Sequence, residues 1–367
     1  MSDEAVTPPA ASQGGPPEGG SGRGGPSQLG ASAVAAVSVD ADDDPPAAVR
    51  AGPSTLMRGL GLAGVVLVLL ALVYLLGGKS PALVNQAVVT GILLGGVYAL
   101  VSMGLTLIFG VLGIVNFAQG TMLTLSMYAA YVLVTSVGLN VYLATLLLIP
   151  LLFGLGYLVQ LLLLNRLMSE GETEGQLLVT LGLSLLIANG LLLAFGGQPK
   201  SITAPVGGNL RFLGAVASVP RVIAFVGAIA LALALTTVLQ RTRLGLSIRA
   251  VAANGQGAAM VGVNVKRVFA VTFGLGAACV GAAGGLVLPF FSLTPSTGEQ
   301  FTILAFVIVV LGGLGSVTGA VLGGLAIGLL QTVGGLFVPG TGALLLVFAV
   351  FVVVLFVRPQ GLFGSDL

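Results

Sequence analysis

Few side chains in this sequence are equipped for chemistry, and they cluster in two places. There is no histidine, so the commonest general base and metal ligand is missing. Cys279 is the only cysteine, which excludes an internal disulfide or a cysteine metal cluster, and its apolar surroundings read as a core position. Between residues 59 and 298 the only acids are Glu170, Glu172 and Glu174, close together in one polar stretch, while Glu299 falls at the edge of another. The first polar cluster is "GVLGIVNFAQG", 110–120, which sets Asn116 and Gln119 between two apolar runs. Irregular backbone at membrane depth has to be buried in protein or line a cavity, and broken helices of this kind often form transport pathways. An ordinary tight turn with two polar residues is the other reading. The second cluster is "RTRLGLSIRAVAANGQGAAMVGVNVKR", 241–267, with Arg241, Arg243, Arg249, Lys266 and Arg267 and no acid. It has the texture of a short amphipathic helix too polar to cross a bilayer.

The elements that must position these residues follow from composition. Hydrophobic residues make up 56% of the chain and charged residues 7%, against about 25% charged in a typical soluble domain. Apolar runs of about 20 residues recur, each long enough to cross a hydrocarbon core of ~30 Å. No sustained alternating pattern suggests a β-barrel, so the expected class is an all-α polytopic integral membrane protein. The expected spans are 58–77, 84–115, 118–137, 141–164, 176–196, 221–239, 267–288, 301–314, 316–337 and 342–357. The piece 301–314 is short enough to be tilted or re-entrant, giving nine or ten crossings. Residues 1–55, rich in Gly, Pro, Ser and Ala, read as a disordered tail.

The density of Lys and Arg in 241–267 predicts that this segment, and with it the tail, faces the cytoplasm. Lys200, Arg211 and Arg221 argue mildly the other way, because they fall in the loop 197–221 that this orientation places outside. Small residues four apart, at Gly91 and Gly95, at Gly281 and Gly285, and at Gly315, Gly319 and Gly323, predict close helix packing. Asn189 and Gln331 read as interhelical hydrogen bonds. A faint echo of the first cluster at 310–319 suggests an internal repeat. The absence of carboxylates inside the spans weighs against a proton-driven carrier. There is no GxxxxGK[ST] loop for ATP, and no nucleophile–base pair or metal set for an intramembrane enzyme.

The stretch "GILLGGVYALVSMGLTLIFGVLGIVNFAQG", 91–120, resembles the first block of the LivH-type permeases of branched-chain amino-acid ABC transporters. Gly91, Gly95, Tyr98, Ala99, Leu100, Gly113, Asn116, Phe117, Ala118 and Gly120 match. Gln119 stands where that family has histidine, and Thr121 where it commonly has an acid. Residues 243–263 resemble the family's cytoplasmic loop, 310–324 a third block and "RPQGLFG", 358–364, its C-terminal ending.

The resemblance implies an ABC importer permease domain over 82–364, with 56–81 as an additional N-terminal helix. It implies a second LivM-like permease, two ABC ATPase subunits, an extracytoplasmic substrate-binding protein and a small-molecule substrate. The setting would be membrane lipid in a bacterial cytoplasmic membrane, with no cofactor and no nucleic acid. It implies Tyr98, Asn116, Gln119 and Thr121 as translocation-pathway residues. For ATPase coupling it implies Arg243, Gly245, Arg249, Asn254, Ala258 and Gly262 in the loop 241–267. Branched-chain amino acids are the leading substrate. Urea, amides or aromatic acids in the same importer class, and a stand-alone carrier or channel, are the competing readings.

Overall fold

The computed structural model describes residues 80–168, 173–204, 206–212, 214–338, 340–358 and 361–362. The expected tail 1–55 and the extra helix 56–81 (residue 80 onward aside) lie outside the described residues. Every apolar segment expected from residue 84 onward is a helix.

Helix α1, Pro81–Leu112, starts with proline in its first turn, where the missing N–H costs nothing. Its 32 residues span about 48 Å, well over a hydrocarbon thickness. Gly113 ends it in the left-handed region, φ 71°, and donates its N–H to the Phe109 carbonyl at 2.9 Å. Helix α2, Gln119–Thr135, follows after six residues without helix. Helix α3, Val141–Val159, is capped by Asn140, whose side chain accepts from Tyr142 N at 3.0 Å. It runs on through a π-helical turn, Gln160–Leu164, into the short α4, Asn165–Met168. Helix α5 is Thr173–Phe195.

The loop beyond α5 holds a feature absent from the sequence expectation: a two-stranded antiparallel hairpin, β1, Asn209–Phe212, and β2, Ala215–Ser218. It is tied to α1 by Gln86, whose amide donates to the Val216 carbonyl and accepts from Val216 N, both at 2.8 Å. Helix α6, Val219–Arg241, follows, then the polar pair α7, Arg243–Ala253, and α8, Gly255–Met260. The remaining helices are α9, Val265–Val287, α10, Thr297–Gly312, α11, Val317–Gly334, and α12, Gly342–Val357. Among the described residues six helices are long and apolar enough to cross a membrane, while α10 and α12 are apolar but shorter.

Small residues decide how these helices meet. Gly91 and Gly95 of α1 lie against Gly324 and Gly328 of α11, so the two backbones run antiparallel in direct contact. Gly281 and Gly285 of α9 lie against Leu148, Leu152 and Thr145 of α3. Gly315 lies against Gly110, Gly319 against Gly312 and Gly323 against Ile308. The glycine pairs read from the sequence are therefore used inside this chain, where close approach raises dispersion contact without a hydrophobic driving force. The central helices are α1 and α9, which are 83% and 89% buried along their apolar windows; α5, at 11%, lies on the outside.

Candidate functional site

The six residues between α1 and α2 do not form a surface turn. After Gly113 the chain runs back along α1, and Gln119 donates its side-chain amide to the Val101 carbonyl at 3.3 Å, near the middle of that helix. Helix α2 therefore begins deep in the bundle, where α1, α5 and α10 converge. Asn116 and Gln119 are fully buried. The Asn116 side chain accepts from Ala118 N at 3.0 Å and donates to Gln119 Oε1 at 3.2 Å. Gln119 N bonds to the Asn116 carbonyl at 3.3 Å, and Gly120 N donates to Thr302 Oγ1 of α10 at 3.1 Å. Ala118 N, Gln119 N and Gly120 N thus all find partners within the chain.

Thr121 is buried and donates to the Ala118 carbonyl at 3.1 Å, with Ser184 of α5 at 3.4 Å. Thr180, one turn before Ser184, accepts from Phe117 N at 3.4 Å. The inward face of α5 is thereby a polar seam, Gln176, Thr180 and Ser184 at helical spacing, which was not read from the sequence. Phe117 itself is 42% exposed between two buried neighbours and is the side chain the break turns outward. Tyr98 is buried and donates to Gln331 Oε1 of α11 at 2.8 Å, the interhelical bond expected of Gln331. Asn189 differs: it is exposed and donates back to the Leu185 carbonyl of its own helix, because α5 has no neighbour on that side.

The second cluster is a capped elbow. Thr242 accepts from Gly245 N at 3.1 Å, Asn254 from Gly257 N at 2.8 Å and Asn264 from Arg267 N at 3.1 Å, so α7, α8 and α9 each start on a side-chain cap. Gly245, Ile248 and Val251 share one face of α7 and are buried toward the bundle. A Cβ at Gly245 would land on the Leu239 carbonyl, so only glycine lets α7 fold back so closely on α6. Arg249 donates to that same Leu239 carbonyl at 2.8 Å and to Gln240 at 3.4 Å, closing the C-terminus of α6. Ala258 is buried, Arg243 is exposed, and Gly262 turns the chain out of α8 at φ 88° in open space. Gly245, Arg249, Asn254 and Gly262 therefore set the elbow's shape. What it exposes is in part apolar: Met260 at 88% and Val261 at 80%, with Leu244 and Leu246 exposed as well. Those residues were missed; the signal was an apolar pair in a polar loop, immediately before a glycine.

Arg249→Glu replaces a charged hydrogen bond at a helix C-terminus with a charge of the disfavoured sign. It is expected to lower stability by about 1–2 kcal/mol after allowance for solvent exposure. Arg243→Glu, on an exposed side chain, should stay within about 0.5 kcal/mol. Thermal unfolding of both purified variants checks the difference, and equal midpoints would show that Arg249 does not fasten α6.

Among the described residues no group of three or more His, Cys, Asp or Glu could hold a metal ion. The geometry is that of a helical membrane protein with a buried irregular link between α1 and α2 and a capped basic elbow after α6. Residues 87–355 match the family described as "Branched-chain amino acid transport system / permease component". The chain belongs to this permease family. It is 30% identical over 293 residues to the high-affinity branched-chain amino acid transport system permease protein BraD of Pseudomonas aeruginosa, covering 76% of this chain and 95% of that one. It is 28% identical over 300 residues to the corresponding Escherichia coli K12 protein LivH, with the same coverage. It is 29% identical over 296 residues to a probable LivH of Methanocaldococcus jannaschii, covering 75% of this chain and 91% of that one. No solved structure matches the permease. As a permease component it is a multi-pass membrane subunit of a transporter complex, not the subunit that hydrolyses ATP.

Proposed function

We propose that this permease forms the translocation path of a binding-protein-dependent ABC importer for branched-chain amino acids in a bacterial cytoplasmic membrane. It pairs with a second, LivM-like permease and takes energy from two ATPase subunits. The observation that carries this reading is the family match across nearly the whole permease core, with relatives named for branched-chain amino acids. Tyr98, Asn116, Gln119 and Thr121 hold the wall of the path, and Phe117 is the side chain which that wall turns outward. The elbow 242–262 faces the cytoplasm, and its basic flanks agree with that side. Met260 and Val261 enter a groove on the ATPase, while Thr242, Asn254, Arg249 and Gly245 keep the elbow stiff enough to pass movement on.

Two measurements test the reading. Vesicles holding the full importer are expected to accumulate leucine, isoleucine and valine with ATP, and not urea, acetamide or benzoate. Accumulation of one of the latter group alone would overturn the substrate. Met260→Asp keeps membrane level and melting temperature but weakens ATPase co-purification roughly tenfold, the loss of about 1.4 kcal/mol of apolar burial. Unchanged co-purification and uptake would remove the elbow from the interface.

A further inference from the structure

The end of the bundle opposite the elbow carries a cation that is expensive to keep there. Arg221 sits in the first turn of α6, where the helix dipole disfavours positive charge. It lies on the side where short loops are normally poor in Lys and Arg, given the orientation proposed above. No carboxylate pairs with it among the described residues; its guanidinium instead lies 5.7 Å from the centre of the Phe290 ring. Beside it a crevice of about 110 Å³ is lined by Thr90, Leu93 and Leu94 of α1 and by Phe290 and Phe291. All six residues are half-buried, so the crevice reaches the surface. From its inner wall a chain of ring contacts runs into the bundle: Phe291 to Phe301 at 5.6 Å, then Phe301 to Tyr98 at 5.8 Å.

We propose that this crevice is an entrance subsite for a small carboxylate with a branched apolar side chain. Arg221 holds the carboxylate at the rim, and Leu93, Leu94 and the phenylalanines take the side chain. An apolar cavity of roughly 150 Å³ holds the six carbons of benzene, so a crevice of about 110 Å³ that opens to the surface has room for an isobutyl or sec-butyl group. The chemistry selects a carboxylate because, among the described residues, Arg221 is the only charged side chain lining the crevice, and a guanidinium pairs with that group in a fork. The identification of the ligand as leucine-like rests on the proposed function; the carboxylate and the size do not.

The test uses the whole permease with its partner subunits in phosphatidylcholine nanodiscs, without the binding protein. Cys279 is buried, so Thr90→Cys adds one reactive thiol in the crevice, and its rate of maleimide labelling is followed. Leucine and isovalerate are expected to slow labelling several-fold, and isopentylamine, which lacks the carboxylate, not at all. Arg221→Gln should abolish the protection and Arg221→Lys should keep most of it. Protection that is equal in Arg221→Gln, equal protection by isopentylamine, or none by either carboxylate overturns the subsite. In separate nanodiscs with the binding protein added, loss of its docking to Arg221→Gln with protection intact would make Arg221 a docking residue and overturn it too. The uptake panel is read separately on the unsubstituted importer. Failure to carry branched-chain amino acids there, with isovalerate still protecting, would sink the proposed substrate and leave the subsite standing.

Discussion

Gly120→Ala, one added methyl group, is expected to remove most of the folded permease from the membrane. Gly120 lies in the first turn of α2 and Gly298 in the first turn of α10, and the two backbones touch. A Cβ on either residue would fall on the carbonyl oxygen of the other. Thr302 and Thr124, which also flank the contact, are side chains and can rotate; a carbonyl inside a helix cannot. The two helix starts would have to separate, breaking the Gly120 N bond to Thr302 as they do so. Overpacking in a well-packed core costs about 1–3 kcal/mol, and a backbone-to-backbone clash belongs at or beyond the upper end. Gly154 is the control: it lies in α3 with nothing within reach of an added Cβ, so Gly154→Ala should be neutral or gain about 0.5–1 kcal/mol in helix propensity. The yield and melting temperature of both variants in detergent decide the matter. Equal behaviour would mean that α2 and α10 do not cross at these glycines.

That crossing marks the boundary of what one sequence can reveal. The spans were legible because lipid accepts little besides helix: the run 221–239 falls inside α6, and 267–288 follows α9 to one residue past its end. The break was legible because Asn116 and Gln119 interrupt apolar sequence with no charge nearby. Its course was not, since nothing local says that Gln119 returns to Val101, eighteen residues back. The hairpin had a signal in Gly208 and Gly214 around "NLRFLGAVAS", but the tie that holds it on α1 comes from Gln86, more than a hundred residues away. In the elbow, charge was visible and its use was not. Arg249 and Lys266 look alike in a count of cations, yet Arg249 spends its guanidinium on the end of α6. The side-chain capping by Asn140, Thr242, Asn254, Asn264 and Ser316 was written in the residue types. It could have been read before any coordinates.

The departure at residue 119 then acquires a physical meaning. LivH-type permeases resemble this chain around 113–120 but carry histidine where it has Gln119. In the structure Gln119 does two things: its oxygen accepts from Asn116, and its nitrogen donates to the Val101 carbonyl. A neutral imidazole offers the same pair, one acceptor and one donor, so the exchange preserves the bridge and says nothing against an amino-acid substrate. Gln119→His is therefore expected to retain fold and uptake. Gln119→Leu fills similar space but leaves the buried Asn116 amide without an acceptor, at a cost of about 1–3 kcal/mol. Gln119→Glu is nearly isosteric and should be worse. Its carboxylate faces the Val101 carbonyl, acceptor against acceptor, and a buried charge without a counter-ion costs several kcal/mol. The expected order of melting temperature is glutamine and histidine together, then leucine, then glutamate, with uptake following the same order. A side chain that contacted substrate would give a different pattern: histidine and leucine would both change uptake while leaving the melting temperature alone. Melting curves and leucine uptake for the three variants distinguish a bridge from a ligand, and a leucine variant as stable as the parent would show that the bridge does not hold the break.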